Sequence, residues 1–236
     1  MNLGNRLQCI ADQIDNEARV ADIGTDHAYI PVYLVKTGIS RFVIASDVNK
    51  GPLEKAKKHI AQNGLGDSIN TRLGGGLSVL DDAEVDEVII AGMGGVLISQ
   101  IIEDDFEKAS GVNKLVLQPM QASHELRKYL FENGFEIQKE CLAKEDEKMY
   151  EIIIASYAGD SDKIEDTIDG VYFEIGKKLL EVDDKDLLVE FLDKKIKKYE
   201  GIISNLEGNK TIKAALRLEF CSNRLKKIKE IRENVA

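Results

Sequence analysis

The 236-residue chain has little cysteine and no long hydrophobic run, and both shortages narrow what it can be. Cys9, Cys141 and Cys221 are odd in number, far apart along the chain and in no metal-ligand spacing, so neither a disulfide framework nor a zinc site is expected. Their expected role is packing. No apolar stretch approaches bilayer-spanning length, and the opening MNLGNRLQCIADQID has no basic region followed by a long apolar one. The expectation is a cytoplasmic protein with no membrane partner. His27, His59 and His124 have no ligand spacing, so no metal is expected. The Gly-x-Gly-x-x-Gly fingerprint of dinucleotide-binding sheets is missing too, which disfavours an NAD-dependent oxidoreductase. There is no internal repeat or low-complexity segment.

What is present begins with an apolar fraction of 43%, ample for a buried core, in a length that fits one large domain or a domain with an appendage. The formal charge of −10 argues at first against nucleic acid, but it is unevenly spread. From Lys194 to the end there are twelve Lys or Arg against five acids, so that segment carries about +7 and the remainder about −17.

The first two thirds alternate between two patterns. RVADIG, FVIASDV, INTRL, VDEVIIAG and NKLVLQP read as strands, and AYIPVYLVKTG, GPLEKAKKHIAQNG, VLISQIIEDDFEKAS and SHELRKYLFENG between them read as helices. This alternation implies an α/β fold, a parallel sheet with helices on both faces. FEIQKECLAKEDEKMYEIIIASYAG then gives two strands joined directly, hence a terminal antiparallel pair of the kind found in Rossmann-like methyltransferase sheets. Beyond it strand signals vanish. VYFEIGKKLLEV, DLLVEFLDKKIKKYEGIISNLEG and TIKAALRLEFCSNRLKKIKEIREN read as helices, with Leu187, Leu188, Phe191, Leu192, Ile196, Tyr199, Ile203 and Leu206 in one apolar stripe. The division expected is a catalytic domain over residues 1–159 and a helical, coiled-coil-like basic domain over residues 160–236.

The chemistry concentrates at strand ends. Asp22 to Asp26 falls on the turn after the first strand, where open α/β sheets bind ligands, in the pattern Asp-x-Gly-x-Asp-His. Two carboxylates would repel a pyrophosphate, whereas a cofactor with an amino group and a sulfonium centre, S-adenosylmethionine, suits them. Asp47 ends the second strand twenty-five positions after Asp22, near the spacing at which an acid receives ribose hydroxyls. The duller role for such an Asp, as for Asp26, is to cap the next helix. Gly74 to Gly76 and Gly92 to Gly95 follow the next two strands and permit close backbone approach, to the adenine and between cofactor and substrate respectively.

VADIGTDHAYIP, ASDVN, RLGGGL, AGMGG, LQPMQ and MYEIIIASY, in this order and followed by a helical extension, resemble the bacterial tRNA (adenine-N1)-methyltransferases that act on position 22 of tRNA. The resemblance spans essentially the whole chain. It implies methyl transfer from S-adenosylmethionine to N1 of an adenine in tRNA, with Asp22, Gly24, Asp26, His27 and Asp47 at the cofactor. Val48, Gly74, Gly75, Gly92, Met93 and Gly94 complete the expected cofactor site. The family commonly has an acid where this chain has Gly75, and an Asn where it has Met120. For substrate and catalysis the expected residues are Asp26 near the sulfonium and base, Gln118 on the adenine edge, Pro119 and Met120 against its face, and Tyr29 and Tyr150 for stacking. The duller reading places Tyr29 and Tyr150 in the core. The basic helices suggest a tRNA surface. Alternatives are a methyltransferase for a small molecule or protein, and an RNA-binding module without catalysis. The oligomeric state is not legible.

Overall fold

The computed structural model describes residues 3–159, 169–206, 208 and 211–235. It divides into two compact units, residues 1–165 and 166–236. The first residues of the expected helical domain, 160–168, lie outside the described residues, as do Glu207 and Lys210 of the basic segment.

In the first unit seven strands form one sheet in the order β3-β2-β1-β4-β5-β7-β6. They are β1 (Val20–Ile23), β2 (Val43–Asp47), β3 (Ile69–Leu73), β4 (Glu87–Gly94), β5 (Lys114–Gln121), β6 (Phe135–Glu145) and β7 (Lys148–Tyr157). The first five are parallel, and β7 inserts antiparallel between β5 and β6. The terminal antiparallel pair expected from the sequence is therefore the β6–β7 hairpin. β1 and β2 are apolar without alternation because both faces are covered. Val20, Val43, Ile89 and Val116 enter one core; Ala21, Ile44, Ile90 and Leu117 enter the other.

The helices are α1 (Asn5–Ala11), α2 (Tyr29–Lys36), α3 (Lys50–Gln62), α4 (Gly95–Asp104), α5 (Phe106–Gly111) and α6 (Ser123–Glu132). Two differences from the sequence reading matter. VLISQIIEDDFEKAS is two helices broken at Asp105, which sets Phe106 edge-on against Phe135 and Tyr157 at centroid distances of 5.6 and 5.5 Å. The opening segment, to which no element was assigned, forms α1, and Leu3, Ile10 and Ile14 bury along it. This helix also brings Cys9 to Cys141, so two cysteines distant in sequence meet. Their thiols share a hydrogen bond that lowers the Cys141 pKa to about 7 and, with burial, raises that of Cys9.

An ion triad locks α6 onto the hairpin. Arg127 is fully buried; its Nε donates to Glu140 at 2.6 Å and an Nη to Glu151 at 2.7 Å, and Ser123 Oγ donates to Glu151 at 3.0 Å. Burial opposes the guanidinium charge, yet the two carboxylates hold its pKa above the ordinary arginine value.

The second unit contains α7 (Val171–Ile175), α8 (Lys185–Leu206) and α9 (Ile212–Val235). The VYFEIG segment gives only the short α7, ended by Gly176 at a φ of 75°. α8 and α9 pack antiparallel, with Asp193 paired to Arg232 and Glu200 to Lys229; α8 buries Leu188, Phe191, Leu192 and Tyr199, and α9 buries Ala214, Cys221 and Ile228 at seven-residue steps. Leu187, Ile196, Ile203 and Leu206 of the expected stripe are only half-buried.

Replacing Arg127 by Met should leave Glu140 and Glu151 buried without this cation. We expect a loss of about 3–5 kcal/mol, read as a lowered urea midpoint for the first unit; an unchanged midpoint would show that the triad does not pin α6.

Candidate active site

The carboxyl ends of the parallel strands form one edge, and the sequence-predicted residues gather there. The turn after β1 is held by two hydrogen bonds, from Gly24 N–H and Thr25 N–H to Ser46 O, both 2.8 Å. Gly24 has a φ of 79°, and a methyl group on it would run into Met93 Cε. Glycine is therefore favoured by the backbone conformation, while the flexible end of Met93 could swing aside for a Cβ. Asp26 (φ 42°) and Ala28 (φ 54°) are also left-handed, a strain of order 1–2 kcal/mol each for residues with a Cβ. Two contacts hold this turn: His59 Nδ1–H donates to His27 O at 2.8 Å, and the Tyr29 ring stacks on His27 and meets His59 edge-on. α2 begins at Tyr29 with Ala28 at its cap and no side-chain cap bond, so Asp26 is not a helix cap. Its carboxylate is exposed, 3.5 Å from His27 Nε2.

Asp22 and Asp47 are buried, at 6% and 8% exposure, and among the described residues no cation pairs with either. Asp22 accepts from Thr25 Oγ1 at 2.6 Å, and Asp47 Oδ1 accepts from Asn49 N–H at 2.7 Å. Burial pushes the Asp22 carboxyl up to about 6; the Thr25 bond opposes the rise and the neighbouring Asp47 adds to it. Beyond Asp47, Val48 projects into solvent at 68% exposure. Gly74 N–H donates to Asp47 O at 3.0 Å, and a Cβ on Gly75 would lie 3.8 Å from Val48 Cγ2.

β4 and β5 supply the other half of the edge. Their register shifts on either side of Met93, so β4 is irregular where Gly92, Met93 and Gly94 meet Pro119 and Gln121. Gly95 starts α4 so close to the next loop that a methyl group there would strike the Ala122 carbonyl. Met120 is half exposed, but Gln118 is fully buried and Pro119 is buried as well. Gln118 is engaged inside the protein: its Oε1 accepts from Arg6 Nη1 at 2.9 Å and its Nε2 donates to Pro119 O at 2.9 Å. Its amide is thus engaged with Arg6 and the Pro119 carbonyl in this structure. Tyr150 is half-buried with the Arg6 guanidinium 5.5 Å from its ring centroid.

Arg6 and His59 were missed as site residues. The signal for Arg6 was the spacing of Leu3, Leu7, Ile10 and Ile14, which marks a helix that must dock somewhere. Among the described residues of this unit, the exposed large apolar side chains Tyr29, Val48, Leu73, Val96, Leu97 and Met120 all lie at the same sheet edge. Such an apolar rim around polar groups marks a binding surface. A separate acidic cavity of about 600 Å³, lined by Asp81, Glu84 and Glu103 among others, lies toward the opposite end of β4. Among the described residues no group of three or more potential ligands is arranged to hold a metal ion, and no helix is long and apolar enough to cross a membrane.

Strand order, terminal hairpin and acidic strand ends define a Rossmann-like methyltransferase domain, and a family model described as a methyltransferase domain matches residues 3–153. The tRNA (adenine(22)-N(1))-methyltransferase of Bacillus subtilis (strain 168) is 39% identical over 168 residues, 71% of this chain and 70% of that protein. The solved structure of the B. subtilis M1A22 tRNA methyltransferase TrmK has a TM-score of 0.87 at 30% identity, covering 98% of this chain and 99% of that one. That of a putative tRNA (m1A22) methyltransferase of Streptococcus pneumoniae, in complex with S-adenosyl-L-methionine, scores 0.83 at 30% identity, covering 98% and 100%. The chain belongs to the bacterial tRNA (adenine(22)-N(1))-methyltransferase family.

The raised Asp22 pKa has a consequence for stability. Its folded value lies above the unfolded 3.8, so its stabilising contribution is complete below that pH and is lost as pH rises through about 6. Asp22→Asn should stabilise the protein at pH 8 by on the order of 3 kcal/mol, the gain vanishing near pH 4. Melting curves at the two pH values check this; equal shifts at both would mean that the carboxyl is not raised.

Proposed function

We propose that this protein transfers a methyl group from S-adenosylmethionine to N1 of an adenine in tRNA, at position 22. The observation that carries the reading is the pair of buried carboxylates Asp22 and Asp47, which no cation among the described residues pairs, at an edge rimmed by exposed apolar side chains. The donor set fits the cofactor. Asp22 and Asp47 have acceptor capacity for an amino group and ribose hydroxyls, Gly24 leaves room beside Met93, and Val48 with Gly74 and Gly75 gives an apolar surface for a purine. When bound, S-adenosylmethionine supplies an electrophilic methyl group on a sulfonium sulfur.

The remaining task of the chain is positioning. Adenine N1 has an in-plane lone pair once the base is unpaired, so no strong base is needed. Asp26, exposed on its strained turn, complements the positive charge that the base acquires. Gly92, Met93 and Gly94 form the backbone floor, His27 and Tyr29 give an aromatic wall, and Met120 packs against the base. Pro119 and Tyr150 shape that wall from beneath. The names of the relatives and the position of these residues at one sheet edge support the assignment.

For tRNA, the second unit offers cations that no carboxylate among the described residues pairs. Lys194 pairs with Glu190, Lys229 with Glu200, Arg232 with Asp193, and Lys227 with Asp169. Lys197 and Lys198 are exposed and, among the described residues, have no carboxylate partner. They are assigned to phosphate contacts.

Incubation with labelled S-adenosylmethionine and unmodified bacterial tRNA should yield 1-methyladenosine on nucleoside analysis, and Asp26→Ala should lower kcat by about tenfold to a hundredfold. Absence of transfer by the unsubstituted protein, with S-adenosylhomocysteine still bound in calorimetry, would redirect the reading to another acceptor.

Reversing charge at Lys197 and Lys198 together should raise KM for tRNA about tenfold and flatten its salt dependence. Cofactor affinity should stay the same. Unaltered tRNA affinity would leave α8 and α9 another purpose.

A further inference from the structure

We infer that Arg6 is the substrate-side cation of the first unit: it holds Gln118 with one guanidinium nitrogen and presents its remaining donors to a phosphate of the tRNA segment entering the site. The inference rests on tRNA being the acceptor. It starts from the ion pairs of this unit. Arg19 pairs with Asp86, Arg41 with Glu17, Arg72 with Glu84, and Arg127 with Glu140 and Glu151. Arg6 alone among the arginines of this unit has, among the described residues, no carboxylate in reach.

Its partners are all neutral. Nη1 donates to Gln118 Oε1 at 2.9 Å, the guanidinium carbon lies 5.5 Å from the Tyr150 centroid, and Nη1 is 4.0 Å from where a Cβ on Gly92 would be. An amide and an aromatic ring fix a guanidinium in place without cancelling its charge. A structural arginine pinning α1 to the sheet would gain more from an acid, as Arg127 does. The charge is thus both fixed and available, and a guanidinium has five donors, of which one is used here.

The location supplies the recipient. Arg6 stands beside exposed Gly92 and, through Gln118, next to half-exposed Met120, so it borders the edge where the base is received. The first unit, residues 1–165, carries about −11 and repels a polyanion, which a fixed cation at the edge offsets. A guanidinium fork matches two phosphate oxygens, which a lysine ammonium does not. Gln118 acts here as a positioning residue, because its amide sets the orientation of Arg6.

The test is steady-state methylation of unmodified tRNA at several salt concentrations by the unsubstituted protein, Arg6→Lys and Arg6→Ala, with S-adenosylhomocysteine calorimetry and melting curves for each. Arg6→Ala should lower kcat/KM for tRNA by about tenfold to a hundredfold. It should also reduce the slope of log KM against log salt by roughly 0.7–0.9, the value of one phosphate contact. Arg6→Lys should restore the slope and only part of the rate, and cofactor affinity should stay within about twofold. An unchanged slope in Arg6→Ala, or parallel losses of melting temperature, cofactor affinity and rate, would overturn the inference and make Arg6 a fastener for α1. Absence of tRNA methylation by the unsubstituted protein would overturn both this inference and the function on which it rests.

Discussion

Asp22 near the end of β1 and Asp47 at the end of β2 stand on neighbouring parallel strands, both buried, with like charges and no cation from the described residues beside them. Burying ionised carboxylates without partners disfavours folding, and here the cost falls on the sheet edge where ligands bind in open α/β folds. The rest of the first unit makes this tolerable. Two covered sheet faces supply the apolar burial that carries the fold, and backbone bonds from Gly24, Thr25 and Gly74 to β2 fix the turns around the acids. In the proposed function, a ligand with an amino group, hydroxyls and a positive centre turns that unfavourable term into affinity.

The same economy governs the loop that follows. Left-handed Asp26 and Ala28 would relax if the turn were free, but the His59 bond and the His27–Tyr29 stack hold it, and β4 presses Met93 against Gly24. Strain held by surrounding packing keeps Asp26 exposed beside the site instead of folded back onto the helix start. On the other half of the edge, Arg6, Gln118 and Tyr150 join α1, β5 and β7 around one charge. Acids on one side and an uncompensated guanidinium on the other suit a cationic cofactor and an anionic nucleic acid.

Much of this was legible in the chain. The apolar runs marked the strands because both sheet faces are covered, and the acids and glycines at their ends marked the edge because polar residues interrupting such runs have few other reasons to be there. KEDEK marked the hairpin because too few residues remain for a crossover helix. The break at Asp105 was hidden because the helical pattern continues across it, and only the packing of Phe106 against Phe135 and Tyr157 explains it. Gln118 was read as a substrate contact from its place in LQPMQ, which carries part of the family resemblance. Its actual partner, Arg6, is 112 positions away.

The sequence by itself determined the strand order's raw material, the ligand edge and the kind of cofactor that edge was expected to accept, because these depend on continuous apolar runs and on charges placed a few residues from strand ends. The tertiary structure alone decided which polar groups meet. It buried Gln118, left Asp26 and Met120 in the open, paired Cys9 with Cys141, and brought Arg6 to Gln118 and Tyr150 with no carboxylate partner among the described residues. Those outcomes depend on helices docking from distant parts of the chain, and no local pattern encodes the partner of a side chain across the fold.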